Sequence, residues 1–203
     1  MLPNDRNDNE QNGIRMVHPG SRQLFRYWEA LRAERACPTR DEMELAKISN
    51  LLPNITVLEE AETRFWRHRM AGSEVCELLS EQVTWRDAML GFDRQSRDAL
   101  SRIFGIAVTQ AQPAIIRLRL IGQHHVIPAE MLALPVWDAH KGNFQLFCSL
   151  FGFNTELVVS GAPLLRRELL SARLILTEHG AGADNLQFSS GPQLQVIQGG
   201  LSN

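Results

Sequence analysis

Lysine is almost missing from this 203-residue chain: Lys47 and Lys141 stand alone, and every other side-chain cation except histidine is an arginine. The basic and acidic totals still balance, 21 against 23, for a formal charge of −2. The broad positive field that a phosphate backbone recruits is therefore absent, and no nucleic-acid partner is expected. Cysteine is scarce as well. Cys37, Cys76 and Cys148 are odd in number and far apart, which argues against a disulfide framework and against a CxxC zinc or redox site, and no metal centre is expected. A reducing cytoplasm is the expected location. No stretch approaches the ~20 apolar residues that span a bilayer, so no membrane insertion is expected. The opening Met1-Leu2-Pro3-Asn4-Asp5 lacks the basic start and apolar run of a secretory leader. Catalytic signatures are missing too. There is no Gly-x-Ser-x-Gly elbow, Walker loop, His-Glu-x-x-His or defined carboxylate pair, so the reading is of a protein that is not an enzyme.

What is present is a patterned middle between polar ends. Residues 1–17 begin with a run of Asn, Asp, Glu and Gln and are expected to be a disordered tail, as are residues 178–203 with their Gly, Gln, Ser and Asn. Between them, residues 18–160 are expected to form a domain and 161–177 a C-terminal extension. Ser21 is a plausible N-cap for an amphipathic helix to about residue 35, striped by Leu24, Tyr27, Trp28 and Leu31. Thr39 and Glu42 have capping-box spacing before a short helix that stops around Ser49 and Asn50. Residues 51–59 and 64–71 read as strands, followed by a turn or two of helix at 74–79. A second helical stripe over 93–112 carries Leu100, Ile103, Phe104, Ala107, Val108 and Ala111, and Pro113 ends it. Strands are expected at 114–121, 126–138 and 144–151, the last two joined by a hairpin over 139–143. Residues 163–177 suit a helix or a strand equally, and both readings stay open.

The second strand is the most informative segment. Side chains alternate across a strand, so Trp66, His68 and Met70 share an oily face while Arg67 and Arg69 share a cationic one. With Arg117 and Arg119 joining them across a strand pair, these arginines form either a hydrated sheet face or a patch for an anionic ligand or an acidic partner. In the last strand, Phe144, Leu146, Cys148 and Leu150 face one side and Phe147 and Phe151 the other. An oily outer patch invites a cover. The first helix is the natural candidate, in the same chain or across a dimer.

The chain resembles the PAS domain family, and within it a bacterial group of small stand-alone PAS proteins. The resemblance rests on His18-Pro19-Gly20-Ser21 leading into Phe25-Arg26-Tyr27-Trp28, on Ile48 to Leu58 with its Leu-Leu-Pro, on Arg69-Met70-Ala71-Gly72-Ser73, and on Leu134-Pro135-Val136. It covers roughly residues 18–152. It implies an α+β fold, a PAS-like five-stranded antiparallel sheet with helices packed on one face, here with an N-terminal amphipathic helix added. PAS domains are sensor and dimerisation modules, and their ligands usually sit between the inner sheet face and the helices.

On that resemblance the pocket candidates are Trp66, His68, Met70, Ile116, Leu118, Leu120, Leu134, Leu146 and Cys148. The interface candidates are Leu24, Tyr27, Trp28, Leu31, Phe147 and Phe151. His68 stands where the group would place Phe or Tyr, as either a pocket group or a core histidine with a partner. Haem is disfavoured, because relatives that bind it carry the axial histidine in the helix matching residues 93–112 and none occurs there. Flavin is disfavoured because the Asn-Cys-Arg-Phe-Leu-Gln run of light-sensing relatives is missing; any other cofactor is left unassigned. Cys76, between Glu74 and Glu77, reads as a plain buried thiol rather than a redox sensor. His124 and His125 diverge if extended, which argues against joint metal binding. The resulting expectation is a sensory or regulatory protein that forms a homodimer or binds a signalling protein, with a small core ligand as candidate modulator. The alternative is a small-molecule carrier or degenerate enzyme, which calls for a cavity of ~300 Å³ or more.

Overall fold

A computed structural model describes residues 16–154 and 163–177; the tails expected at 1–17 and 178–203 lie outside it except for Met16 and Val17. Helix α1 spans Pro19–Arg32. It starts earlier than the sequence suggests, because His18 supplies the cap: its Nδ1 accepts from the Gly20 amide at 3.1 Å. Pro19 follows at the position where a missing N–H costs nothing. Ser21 is instead buried within the first turn. The helix stops at Ala33, whose φ of +52° leaves the right-handed region.

The Thr39–Glu42 capping box forms, with the Thr39 amide and hydroxyl donating to Glu42 Oε2 at 2.7 and 3.0 Å. What it opens is only the 3-10 turn Arg40–Glu42, followed by a 3-10 run at Leu45–Asn54. That run takes the residues expected to begin the first strand. Pro53 has no N–H to give a ladder, so pairing begins after it. Strand β1 is Ile55–Glu62, β2 Phe65–Ala71, helix α2 Ser73–Leu78 and α3 Arg94–Thr109, followed by β3 Ala114–Gly122, β4 Val126–Asp138, β5 Asn143–Gly152 and β6 Leu164–Leu174.

The sheet order is β2-β1-β5-β4-β3-β6 with every pairing antiparallel. Five strands occur as expected. The sixth is the segment whose helix-or-strand choice was open; it lies along β3, with Ala172 opposite Ile116. Both sheet faces are covered, each by its own apolar cluster. On the inner face α2, α3 and the 80–92 connection bury Trp66, Leu58, Ile116, Leu120, Leu146 and Phe104. On the outer face α1 and the 3-10 run bury Leu24, Trp28 and Ile48 against Leu132, Leu134, Phe147 and Phe151. The Trp28 indole fixes this second layer by donating to the Pro135 carbonyl at 2.8 Å.

Candidate functional site

Alternation along the strands sends one set of side chains to the inner face. Trp66, His68, Ile116, Leu118, Leu120, Leu146 and Cys148 all arrive there, and all are buried. Two of the nine pocket candidates do not. Leu58 lies opposite His68 but its neighbour Val57 lies opposite Met70, so Arg69 is an extra residue in β2. Such a bulge shifts the side-chain alternation by one place. Met70 is thereby turned to the outer side and is 38% exposed. Leu134 pairs with Phe147 whereas Ala133 pairs with the inward Cys148, so Leu134 belongs to the outer cluster under α1.

His68 is the polar centre of the inner face. The Thr56 hydroxyl donates its proton to the Met70 carbonyl at 2.7 Å, so its oxygen must accept from the imidazole 2.8 Å away. Nδ1 of His68 therefore carries the hydrogen and Nε2 presents a bare lone pair. That nitrogen is buried and has no hydrogen-bond partner among the described residues. His68 also lines an internal cavity of about 20 Å³ with Leu58, Met89, Phe92, Phe104 and Leu118. Burial, helped by the positive charge of Arg167, pushes the His68 pKa down to about 4, so the ring is neutral near pH 7.

The connection at 80–92 lines this cavity through Ala88, Met89 and Phe92. Trp85 and Ala88 donate backbone N–H bonds to the carbonyls of His68 and Trp66 at 2.6 and 2.8 Å, and the His68 amide donates to Arg86 at 3.0 Å. At its far end Gly91 accepts from the Arg167 amide at 2.7 Å, while the Arg167 guanidinium pairs with Glu81 at 3.0 Å. The segment thus reaches from the β2 edge to β6, and Met89 and Phe92 plug the space between. Sequence reasoning left this segment unassigned. Its only local signals are Gly91, at φ +84°, and an Asp-Ala-Met stretch without a clear period.

The interface candidates are placed within the chain. Leu24 and Trp28 are fully buried, Phe147 and Phe151 nearly so, and Tyr27 and Leu31 pack beside them. Of the two covers considered, the one in place is α1 of the same chain. Its start is held by Glu130, a fully buried carboxylate that accepts from the Val17 and His18 amides at 2.8 and 3.1 Å and pairs with Arg117.

The proposed joining of Arg67 and Arg69 with Arg117 and Arg119 is corrected, because β1, β5 and β4 lie between β2 and β3. Arg67 and Arg69 surround Glu59 instead, at 2.7 and 3.8 Å, with Lys141 at 2.8 Å. Arg119 pairs with Glu168 at 3.3 Å. Cys76 is buried in α2. His124 and His125 lie in the bend between β3 and β4, and no cluster suited to a metal occurs among the described residues.

A six-stranded antiparallel sheet in the order β2-β1-β5-β4-β3-β6, with α3 and the 80–92 connection over a small inner cavity, defines an α+β module. The chain belongs to the PAS domain family, whose family model matches residues 16–151. No curated protein matches the chain. The family makes a sensory or regulatory role in signalling the class of function. No helix of the described residues is long and apolar enough to cross a membrane.

Proposed function

We propose that the chain is a non-enzymatic signalling module of the reducing cytoplasm that acts through contact with a second protein, either another copy or a signalling partner, under the influence of its inner site. The observation that carries this reading is His68, whose Nε2 is a buried acceptor without a partner among the described residues and whose ring lines a small cavity together with Met89 and Phe92. A buried acceptor without a partner is costly, so anything that offers it an N–H or O–H is held in place. At about 20 Å³ the cavity matches roughly one water, so a larger guest enters only if the 80–92 connection moves. Such a guest links occupancy to the outside through the backbone clamps at Trp85 and Ala88. It shifts the equilibrium by as much as its affinities for the two states differ.

The carrier or degenerate-enzyme alternative is disfavoured by the same cavity, which falls far below the ~300 Å³ expected of a substrate pocket. Native mass spectrometry of the freshly purified full chain reads both parts of the proposal. A dimer, or a small-molecule mass released on gentle activation, supports it. A bare monomer at every concentration, together with failure to join any complex in cells, overturns it.

A further inference from the structure

The region around β2 holds a second feature that the inner site does not use. Trp85 is 53% exposed, and its backbone is left-handed at φ +69°, a conformation that a bulky residue rarely adopts. Two guanidiniums lie over its ring, Arg67 at 5.1 Å and Arg69 at 4.5 Å from the centroid. Arg69 is the bulged residue of β2, and the same bulge turns Met70 outward. Lys141, from the β4–β5 turn, completes the group.

Charge is unmatched here. Arg67, Arg69 and Lys141 share the single carboxylate of Glu59, itself 3% exposed, so three positive charges meet one negative charge. The nearby Asp87 carboxylate is occupied by Arg97 at 2.8 Å and by the Met89 amide at 2.8 Å. Glu59 is fixed in its charged form: burial pushes its carboxyl up, but Lys141 and Arg67 outweigh this and hold it below the usual range. The surface keeps an excess of two positive charges beside an exposed indole and a methionine. Helix α1 packs mainly on β4, β5 and the 3-10 run rather than on β2.

The geometry points to a docking surface formed by Trp85, Arg67, Arg69, Met70 and Lys141 for an acidic, amphipathic segment of a partner protein. Aspartates or glutamates of the partner would face the cations, and an aliphatic or aromatic side chain would lie on Trp85 and Met70. Charge complementarity selects an acidic occupant. The apolar members and the chain's overall charge of −2 favour a peptide over phosphate backbones. The inference rests on the signalling reading above only in taking the occupant to be a signalling partner. Because Trp85 is also clamped to His68, a partner held here would sense movement of the 80–92 connection.

The test uses the full chain with two fluorescent probes, a peptide of glutamates around a leucine pair and a single-stranded oligonucleotide of equal length. The peptide is expected to bind, less tightly as salt rises, and Arg69→Glu to weaken it by about tenfold or more. Trp85→Gly removes the ring at a φ that suits glycine, so it is expected to keep the melting temperature while losing peptide affinity. Arg94→Glu, on α3, is expected to bind as the wild type. Absence of peptide binding, tighter binding of the oligonucleotide, variants that bind like the wild type, or a self-dimer that Arg69→Glu dissolves would each overturn the proposal. A core ligand still retained by Arg69→Glu in native mass spectrometry separates failure of this surface from failure of the inner site.

Discussion

His68 is a buried polar group in the inner core, and its cost is measurable. Its pKa of about 4 in the native state compares with about 6.5 when unfolded, so between those values the unfolded chain binds a proton that the native chain refuses. The contribution of His68 to stability is therefore full above about pH 6.5 and is lost as pH drops toward 4, by about 3 kcal/mol in total. Urea unfolding across this range is expected to show that slope, and His68→Phe to flatten most of it. His18, whose pKa burial also lowers, contributes in the same direction and is left in the variant. An unchanged slope in His68→Phe would place the titration elsewhere. Much of this residue's role was legible in period-two alternation, which sets Trp66 and His68 on one face. Its tautomer was not, because that depends on Thr56 and on the Met70 carbonyl, partners that only strand pairing brings together. Met70 was misplaced for a related reason: a bulge inserts one residue with no mark in the pattern.

Among the elements, α1 is seated under a close steric constraint. A Cβ at Gly20 would stand 2.3 Å from Cζ of Phe151, whose ring is stacked on His18 at 3.9 Å and has little room to turn away. Alanine inside a helix ordinarily stabilises by up to about 1 kcal/mol over glycine. Here Gly20→Ala is expected to destabilise by about 1–3 kcal/mol through overpacking, and to raise binding of a hydrophobic dye as α1 lifts from Phe147 and Phe151. Chemical unfolding and dye fluorescence check both, and a stabilised variant would mean that the helix is not seated as described. The apolar stripe of α1 was readable because Leu24 and Trp28 repeat at helical spacing. The cap was not, since His18 competes with Ser21 and wins through Pro19 at the first helical position. The 80–92 connection escaped detection because its order comes from hydrogen bonds to β2 and β6 rather than from a period of its own.

For the whole molecule, the strand order and the two-layer burial make one body with a small inner site and, among the described residues, an exposed cationic surface around β2. The alternating strands and the family resemblance together anticipated five strands; β6 remained open because its leucines fit both periods until β3 offered a ladder. The separation of Arg67 from Arg117 was likewise invisible, since sequence order says little about which strands become neighbours. If the protein signals by contact, that contact leaves a trace in the cell. The chain's two lysines make the readout simple, as Lys141 lies in the proposed docking surface and Lys47 in the 3-10 run before β1. Lysine-directed cross-linking in intact cells, followed by mapping of the linked residues, is the most direct measurement. The account predicts intermolecular links at Lys141 that disappear in Arg69→Glu. Links confined to Lys47, or none to any other protein chain, would contradict it.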